Sequence, residues 1–288
     1  AERFALEPAL TVGPGPQHTR SGKALFGAIG DSAPDRWGRA LMNRAEQRAP
    51  RREGRTPRAL HELDFLLGVN DEARQGAIRF SLAQGGPFVA EPGGQSIPPL
   101  VELPRLLAAT EHVLAEADDA ADLRLLLAPG SSLGGARPKA SVRDLDGALA
   151  IAKFSTTHDE YNVVLGEALA LSLASRAGIV VPVWRVEPVG ISTALIVGRF
   201  DRNAGRRVPF LSAMSMLGAL DGEARSYLEI ADALRAHGSS PAEDLRQLWR
   251  RMVFTVLVSN TDDHLRNHAF LHESTAGWRL PLRDVTPP

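Results

Sequence analysis

The 288-residue chain contains no cysteine, which excludes disulfides, thiol catalysis and thiolate zinc sites and accords with a reducing compartment. No apolar run approaches the roughly 18 residues of a membrane-spanning helix, and no charged-then-apolar leader opens the chain. The sequence therefore predicts a cytoplasmic protein without membrane contact. A formal charge of -1 provides no polybasic footprint, so direct nucleic-acid binding is not expected. There is no internal repeat and no coiled-coil heptad pattern. Lysine is also scarce: of 33 basic residues only Lys23, Lys139 and Lys153 are lysine, and the rest are arginine. A lysine kept against such a bias marks places where a compact, flexible ammonium serves better than a planar guanidinium.

What is present, 44% hydrophobic and 23% charged residues, suffices for one or two ordinary cores. The chain opens at Ala1 in mid-pattern without a methionine, which predicts a preceding segment. Asp31-Ser32 followed by Pro34 reads as a helix start leading into Asp35 to Met42, and a second helix is expected to include Leu60 to Leu67. The Gly/Pro/Gln-rich stretch from Ala83 to Pro99 marks a linker and a domain boundary. Leu103, Leu106, Leu107, Val113 and Leu114 recur at helical spacing. Lys139 to Val142 and Ala148 to Lys153 flank the turn Asp144-Leu-Asp146-Gly147 as a hairpin. Thr157-His-Asp-Glu160 has the capping-box arrangement, opening a helix from Glu160 to Ala177 that Gly178 ends. Ile179 to Pro182 and Ala194 to Val197 read as short buried strands, and the remainder as mostly helical. In that remainder Leu245, Leu248, Trp249, Met252, Val253 and Val256 form the helix that delivers the chain to Asn260.

Four features carry chemistry. Asn260-Thr-Asp262-Asp-His264-Leu-Arg-Asn267 places an Asp and an Asn five residues apart, the spacing at which a phosphoryl-transfer loop sets its proton acceptor and a magnesium ligand. Pro129 to Lys139 combines glycines, hydroxyls and a lysine. Glycines let backbone N–H groups approach phosphate oxygens, although the spacing is neither Walker A nor G-x-G-x-x-G and an ordinary surface turn would read the same. Lys153 ends the apolar strand ALAIAK. On the following helix, Glu167 falls within the buried arc of Tyr161, Val164, Ala168 and Leu171, so a Lys153–Glu167 ion pair resolves both burials, with Glu160 as the substitute partner. Asp284, past the strand-like Gly277 to Leu280, stands where a second metal carboxylate would come. His264 and His268 at i and i+4 allow a hydrolytic metal pair, but no H-E-x-x-H glutamate or third ligand accompanies them.

Taken together, Ser131 to Lys139, Lys153, Leu195-Ile-Val-Gly198-Arg-Phe200-Asp201-Arg and Asn260 to Asn267 closely resemble the HipA-like serine/threonine kinases, toxin components of bacterial toxin–antitoxin modules. Leu25 to Gly38 and Leu63 to Asp71 resemble that family's N-terminal region. The resemblance implies an α+β, two-lobed protein-kinase-like fold: an accessory region over 1–99, a small ATP-binding lobe over 100–200 and a helical catalytic lobe over 201–288. It implies that Gly134, Gly135, Ala136, Arg137, Pro138 and Lys139 contact ATP phosphates, that Lys153 binds the nucleotide, and that Gly198, Arg199 and Phe200 form the adenine hinge. Asp262 would be the general base, with His264 and Asn267 lining the ATP site and Asn267 and Asp284 holding Mg2+. It further implies self-phosphorylation at Ser132, a protein serine or threonine acceptor such as an aminoacyl-tRNA synthetase, and a HipB-like DNA-binding antitoxin through which the chain would meet DNA. The chain departs from the family at Pro281-Leu-Arg283-Asp284, where Ser-Pro-Ala-aromatic-Asp is usual, and the family's C-terminal helices are expected beyond Pro288. Two readings of other kinds stay open, a small-molecule phosphotransferase of the aminoglycoside type and an inactive kinase-fold scaffold for an antitoxin.

Overall fold

The computed structural model describes residues 5–10, 13–48, 54–89, 96–130, 135–156, 159–273 and 277–279. In chain order the elements are α1 (Gly27–Gly30), α2 (Arg36–Arg48), α3 (Glu62–Leu67), α4 (Leu103–Leu114), α5 (Ala120–Gly130), β1 (Lys139–Arg143), β2 (Leu149–Phe154) and α6 (Val163–Arg176). There follow β3 (Trp184–Val189), β4 (Ser192–Gly198), the short hairpin β5 (Arg202–Asn203) and β6 (Arg206–Arg207), and β7 (Phe210–Ser212). The chain continues through α7 (Ala213–Met216), α8 (Tyr227–His237), α9 (Pro241–Leu257), β8 (Ala269–Glu273) and β9 (Gly277–Arg279). The fold is α+β, as expected, and divides into two compact units.

One unit comprises Ser32–Ala168 and Val183–Arg199. Its antiparallel sheet has the order β1-β2-β4-β3. Alternation sends Ala140, Val142, Ala150, Ala152 and Phe154 to one face, where they share a core with Trp37 and Leu41 of α2, Leu103, Leu106 and Val113 of α4, and Leu123 and Leu126 of α5. Lys139, Ser141, Ile151 and Lys153 lie on the other face, with Lys139 opposite Lys153 and Ser141 opposite Ile151 in the ladder. Burial of the first face fixes this register, because a one-residue slip of either strand would carry its lysine toward the helical core.

The other unit comprises Ala1–Asp31, Leu169–Pro182 and Phe200–Pro288. Helix α9 opens with Pro241 after Ser240 and with Glu243 and Asp244 in its first turn, the composition a helix N-terminus favours. Buried Asp244 accepts from Arg279 Nε at 3.1 Å through both carboxylate oxygens, which ties β9 to the start of α9. Asp31 accepts hydrogen bonds from the Ser212 amide (2.7 Å) and hydroxyl (2.8 Å), anchoring the N-terminal segment on β7. Burial pushes its carboxyl up to about 6, against the Ser212 bonds that lower it.

Several expected elements differ. The helix after β2 begins at Val163, not Glu160, because Asn162 Oδ1 accepts from the Leu165 amide at 3.1 Å and takes the capping role. Residues 157 and 158 lie outside the described residues, and Tyr161, half-exposed ahead of the helix, is not on its buried face. Ile179 to Pro182 forms no strand. Gly178 (φ +72°) closes α6, the Gly178 and Ile179 amides return to Ser175 and Ala174 carbonyls, and Ile179 packs with Ala174 and Phe254. The strand lies just beyond, at Trp184–Val189. The region after Phe200 is less helical than expected, since it holds β5, β6 and the sheet β7-β8-β9. Trp249 and Val256 are exposed on α9, whose buried apolar residues include Leu248 and Phe254. Near the N-terminus the cap of α2 is Asp35, whose Oδ1 accepts from the Arg36 amide at 2.8 Å, and not Asp31 or Ser32.

Candidate active site

In the sheet-bearing unit, β2 delivers Lys153 and the first half of α6 delivers Glu167, and Lys153 Nζ donates to Glu167 Oε1 at 2.5 Å. Both side chains are nearly enclosed, at 12% and 4% exposure, so each charge is stabilised by the other and not by water. Glu160 precedes the helix and is not the observed partner. Lys139, directly opposite Lys153 on the adjacent strand, shares its face of the sheet. Gly135 has φ +87°, and a Cβ there would fall 2.6 Å from Lys139 Nζ. The left-handed backbone favours glycine here, and the lysine folds over it.

Of the other residues implicated in phosphate contact, Ala136 and Arg137 are exposed while Pro138 is buried. Arg137 Nη1 donates to Asp159 Oδ1 at 2.7 Å. Gly134 and Ser132 lie outside the described residues. Gly198 ends β4, its amide bonded to the Val183 carbonyl at 2.8 Å. The Arg199 amide donates to the Leu149 carbonyl, and its buried guanidinium reaches the Ala73 carbonyl at 3.1 Å. Phe200 belongs to the other unit, where its ring lies 5.9 Å from that of Phe210.

In that unit the loop after α9 is built by local hydrogen bonds. Ser259 adopts a left-handed conformation (φ +54°), the Asn260 amide closes on the Thr255 carbonyl, and Asn260 Oδ1 accepts from the Asp262 amide at 3.0 Å. Asn267 Nδ2 donates to the Asp262 carbonyl at 2.5 Å, so the two residues singled out by spacing are directly joined. Asp262 remains exposed. Its neighbour Asp263 turns inward, accepting from the Tyr227 hydroxyl of α8 and bonding His268 Nε2 at 3.1 Å. His268 is buried and edge-on to Tyr227, whereas His264 is exposed at the edge of the 3-10 turn Leu265–Asn267. The two histidines therefore do not act as a pair. Asn260 only opened the motif in the sequence reading, Tyr227 had no role in it, and Asp263 figured only beside the His264–His268 metal pair. The Asn260-x-Asp262 spacing of an Asx turn was the available signal for the first, and nothing local announces the long-range Tyr227 contact.

Among the described residues no group of three or more His, Cys, Asp or Glu side chains could by itself hold a metal ion. Asn267 supplies a neutral oxygen of the kind magnesium takes, and Asp284 lies outside the described residues. For a nucleotide, the two lysines fit phosphate chemistry: they lie on one sheet face, with Lys139 Nζ folded over Gly135. No helix among the described residues is long and apolar enough to cross a membrane.

The fold is also that of a chain in the Shewanella oneidensis MR-1 toxin–antitoxin complex of HipA, HipB and operator DNA, with a TM-score of 0.54 and 18% identity over 86% of this chain. The match covers 60% of that chain, so the present sequence spans only part of its length. The Helicobacter pylori proinflammatory kinase CtkA matches with a TM-score of 0.43 and 20% identity, covering 53% of this chain and 54% of that one. No curated protein matches the sequence. Residues 131–287, which include Lys139, Lys153, Glu167, Asp262 and Asn267, match the HipA-like C-terminal domain, and with more than half its length so matched the chain belongs to that family.

Proposed function

We propose that the chain is an ATP- and Mg2+-dependent serine/threonine protein kinase of the HipA-like class. In this reading residues 1–99 form an accessory region, 100–200 the nucleotide-binding lobe and 201–288 the catalytic lobe. The observation that carries it is the enclosed Lys153–Glu167 pair on the sheet face where Lys139 stands opposite Lys153. Glu167 fixes the Lys153 ammonium on that face, where an anion with several oxygens can accept from both lysines.

Lys153, oriented by Glu167, and Lys139 neutralise phosphate oxygens, and Gly134 to Pro138 are the proposed further phosphate contacts. Gly198, Arg199 and Phe200 receive the adenine, and His264 contacts the phosphates. Asn267 and Asp284 would hold the magnesium ion, which would supply charge neutralisation to the nucleotide's phosphates. Asp262 accepts the proton of the acceptor hydroxyl as its oxygen bonds the γ-phosphorus and the bond from that phosphorus to the ADP oxygen breaks. ADP leaves, and the acceptor carries the phosphate. Positioning and electrostatics do most of the work in such a transfer. A serine or threonine of a protein is the proposed acceptor, an aminoacyl-tRNA synthetase among the candidates, and Ser132 is a proposed site of self-phosphorylation. A HipB-like antitoxin is the proposed partner, since the Shewanella chain of this fold is found with HipB and operator DNA. Incubation with γ-labelled ATP and a bacterial lysate tests the reading. Label should appear on protein serine or threonine with the wild type and not with Asp262→Ala. Label on a small molecule alone, or equal label in both, would overturn it.

A further inference from the structure

The glycine-rich segment is braced from a part of the chain about a hundred residues earlier. Asp35 sits between two amides, accepting from Arg36 N through Oδ1 at 2.8 Å and from Gly135 N through Oδ2 at 2.7 Å. The Trp37 amide donates to the Gly135 carbonyl at 3.2 Å, so both backbone polar groups of Gly135 are held by the first turn of α2. Four residues further on, the Trp37 indole Nε1 donates to the Lys139 carbonyl at 2.9 Å. Trp37 is 4% exposed and Leu41, one turn along, is fully buried, so this turn is anchored in the core and does not follow the loop passively.

We infer that Asp35 and Trp37 are positioning residues for nucleotide binding, holding Gly135 and Lys139 in the arrangement that receives phosphate. The inference rests on the kinase reading and assigns a part in it to residues outside the matched 131–287 region. The physical reason lies in the loop itself. Gly135 occupies a left-handed conformation (φ +87°) beneath Lys139 Nζ, and a free glycine would visit many alternatives. Three hydrogen bonds from one rigid helical turn fix the two ends of the Gly135–Lys139 segment. Lys139 thereby keeps its place opposite Lys153 without paying ordering entropy when a ligand arrives. Neither Asp35 nor Trp37 needs to touch the nucleotide for this.

The test combines hydrogen exchange at the Gly135 amide, which requires no ligand, with MgATP titration of the same proteins. Asp35→Ala should speed Gly135 exchange and weaken MgATP binding by about tenfold, the worth of one or two hydrogen bonds. Trp37→Phe keeps most of the ring in the core, removes only the indole donor and should weaken binding in the same direction. In turnover the loss should fall on KM for ATP more than on kcat. Leu41→Ala, in the same helix and in the core cluster with Leu106 and Leu126, removes none of the three hydrogen bonds to the loop, and should lower the melting temperature and leave MgATP affinity of the folded protein unchanged. Faster Gly135 exchange in Asp35→Ala with unaltered MgATP affinity in both loop variants would overturn the inference alone. If Leu41→Ala weakened binding as much as Trp37→Phe, the effect would be general destabilisation, and the inference would fall. A wild type that binds no MgATP would overturn the kinase reading and this inference together.

Discussion

Lys139 and Lys153, two of only three lysines in the chain, are direct cross-strand partners at the open end of the β1–β2 hairpin. Glu167 engages Lys153 from α6, and Lys139 folds against Gly135. The arrangement concentrates flexible ammonium charge on one sheet face in a protein whose other basic residues are almost all arginine, and the proposed phosphate binding would give that choice a purpose.

The enclosed pair makes a stability prediction. Glu167→Ala removes the carboxylate that faces the enclosed Lys153 ammonium and should cost roughly 3–5 kcal/mol in urea unfolding. The double replacement Lys153→Met with Glu167→Leu removes both charges and should recover much of that loss while abolishing nucleotide binding. A double variant less stable than Glu167→Ala would show that the pair is more than mutual neutralisation.

Asp31 makes the second prediction, on pH. Its carboxyl is raised to about 6, so the folded state holds its proton more tightly than the unfolded chain, whose value is near 3.8. Its contribution is fully present below about pH 4 and is lost as pH rises through about 6, to a total on the order of 3 kcal/mol. Asp31→Asn should remove this dependence, so the stability difference between wild type and variant should shift against the wild type across that window. Parallel stability curves would contradict the assignment.

Much of the site could be read from the sequence because its rules are local. The Asp262 to Asn267 spacing, the apolar strand ending in Lys153 and the helical phase of Glu167 all survive in the structure, as do the hairpin and the helices around Leu41 and Leu106. The failures came where two local signals compete. Ile179 to Pro182 looks like a strand by composition but serves as a helix cap, because the left-handed Gly178 turns Ile179 back onto Ala174. The segment Thr157 to Glu160 carries a capping box, yet Asn162 nearer the apolar run captures the Leu165 amide first. The bracing of Gly135 by Asp35 and the Tyr227–Asp263–His268 contact join residues distant in sequence, and no periodicity encodes such pairs.

Asp262 supplies the third prediction. It is exposed, and its backbone is fixed by Asn260 and Asn267, so removing its carboxylate should leave the loop standing. Asp262→Ala should lower phosphoryl transfer by at least about 10²-fold, within the range for a lost general base, while MgATP still binds. Turnover like that of the wild type would remove the assignment.

Ser132 supplies the fourth. A phosphate on it adds nearly two negative charges within three residues of Gly135, where ATP phosphates are proposed to bind. Ser132→Asp should therefore depress ATPase activity, and full activity in that variant would contradict self-inhibition.

The central claim is nucleotide binding, and calorimetry of MgATP with the wild type and with Asp284→Ala tests it most directly. Binding that requires magnesium in the wild type and is lost in Asp284→Ala is the predicted result. A wild type that binds no ATP at any magnesium concentration would contradict the account.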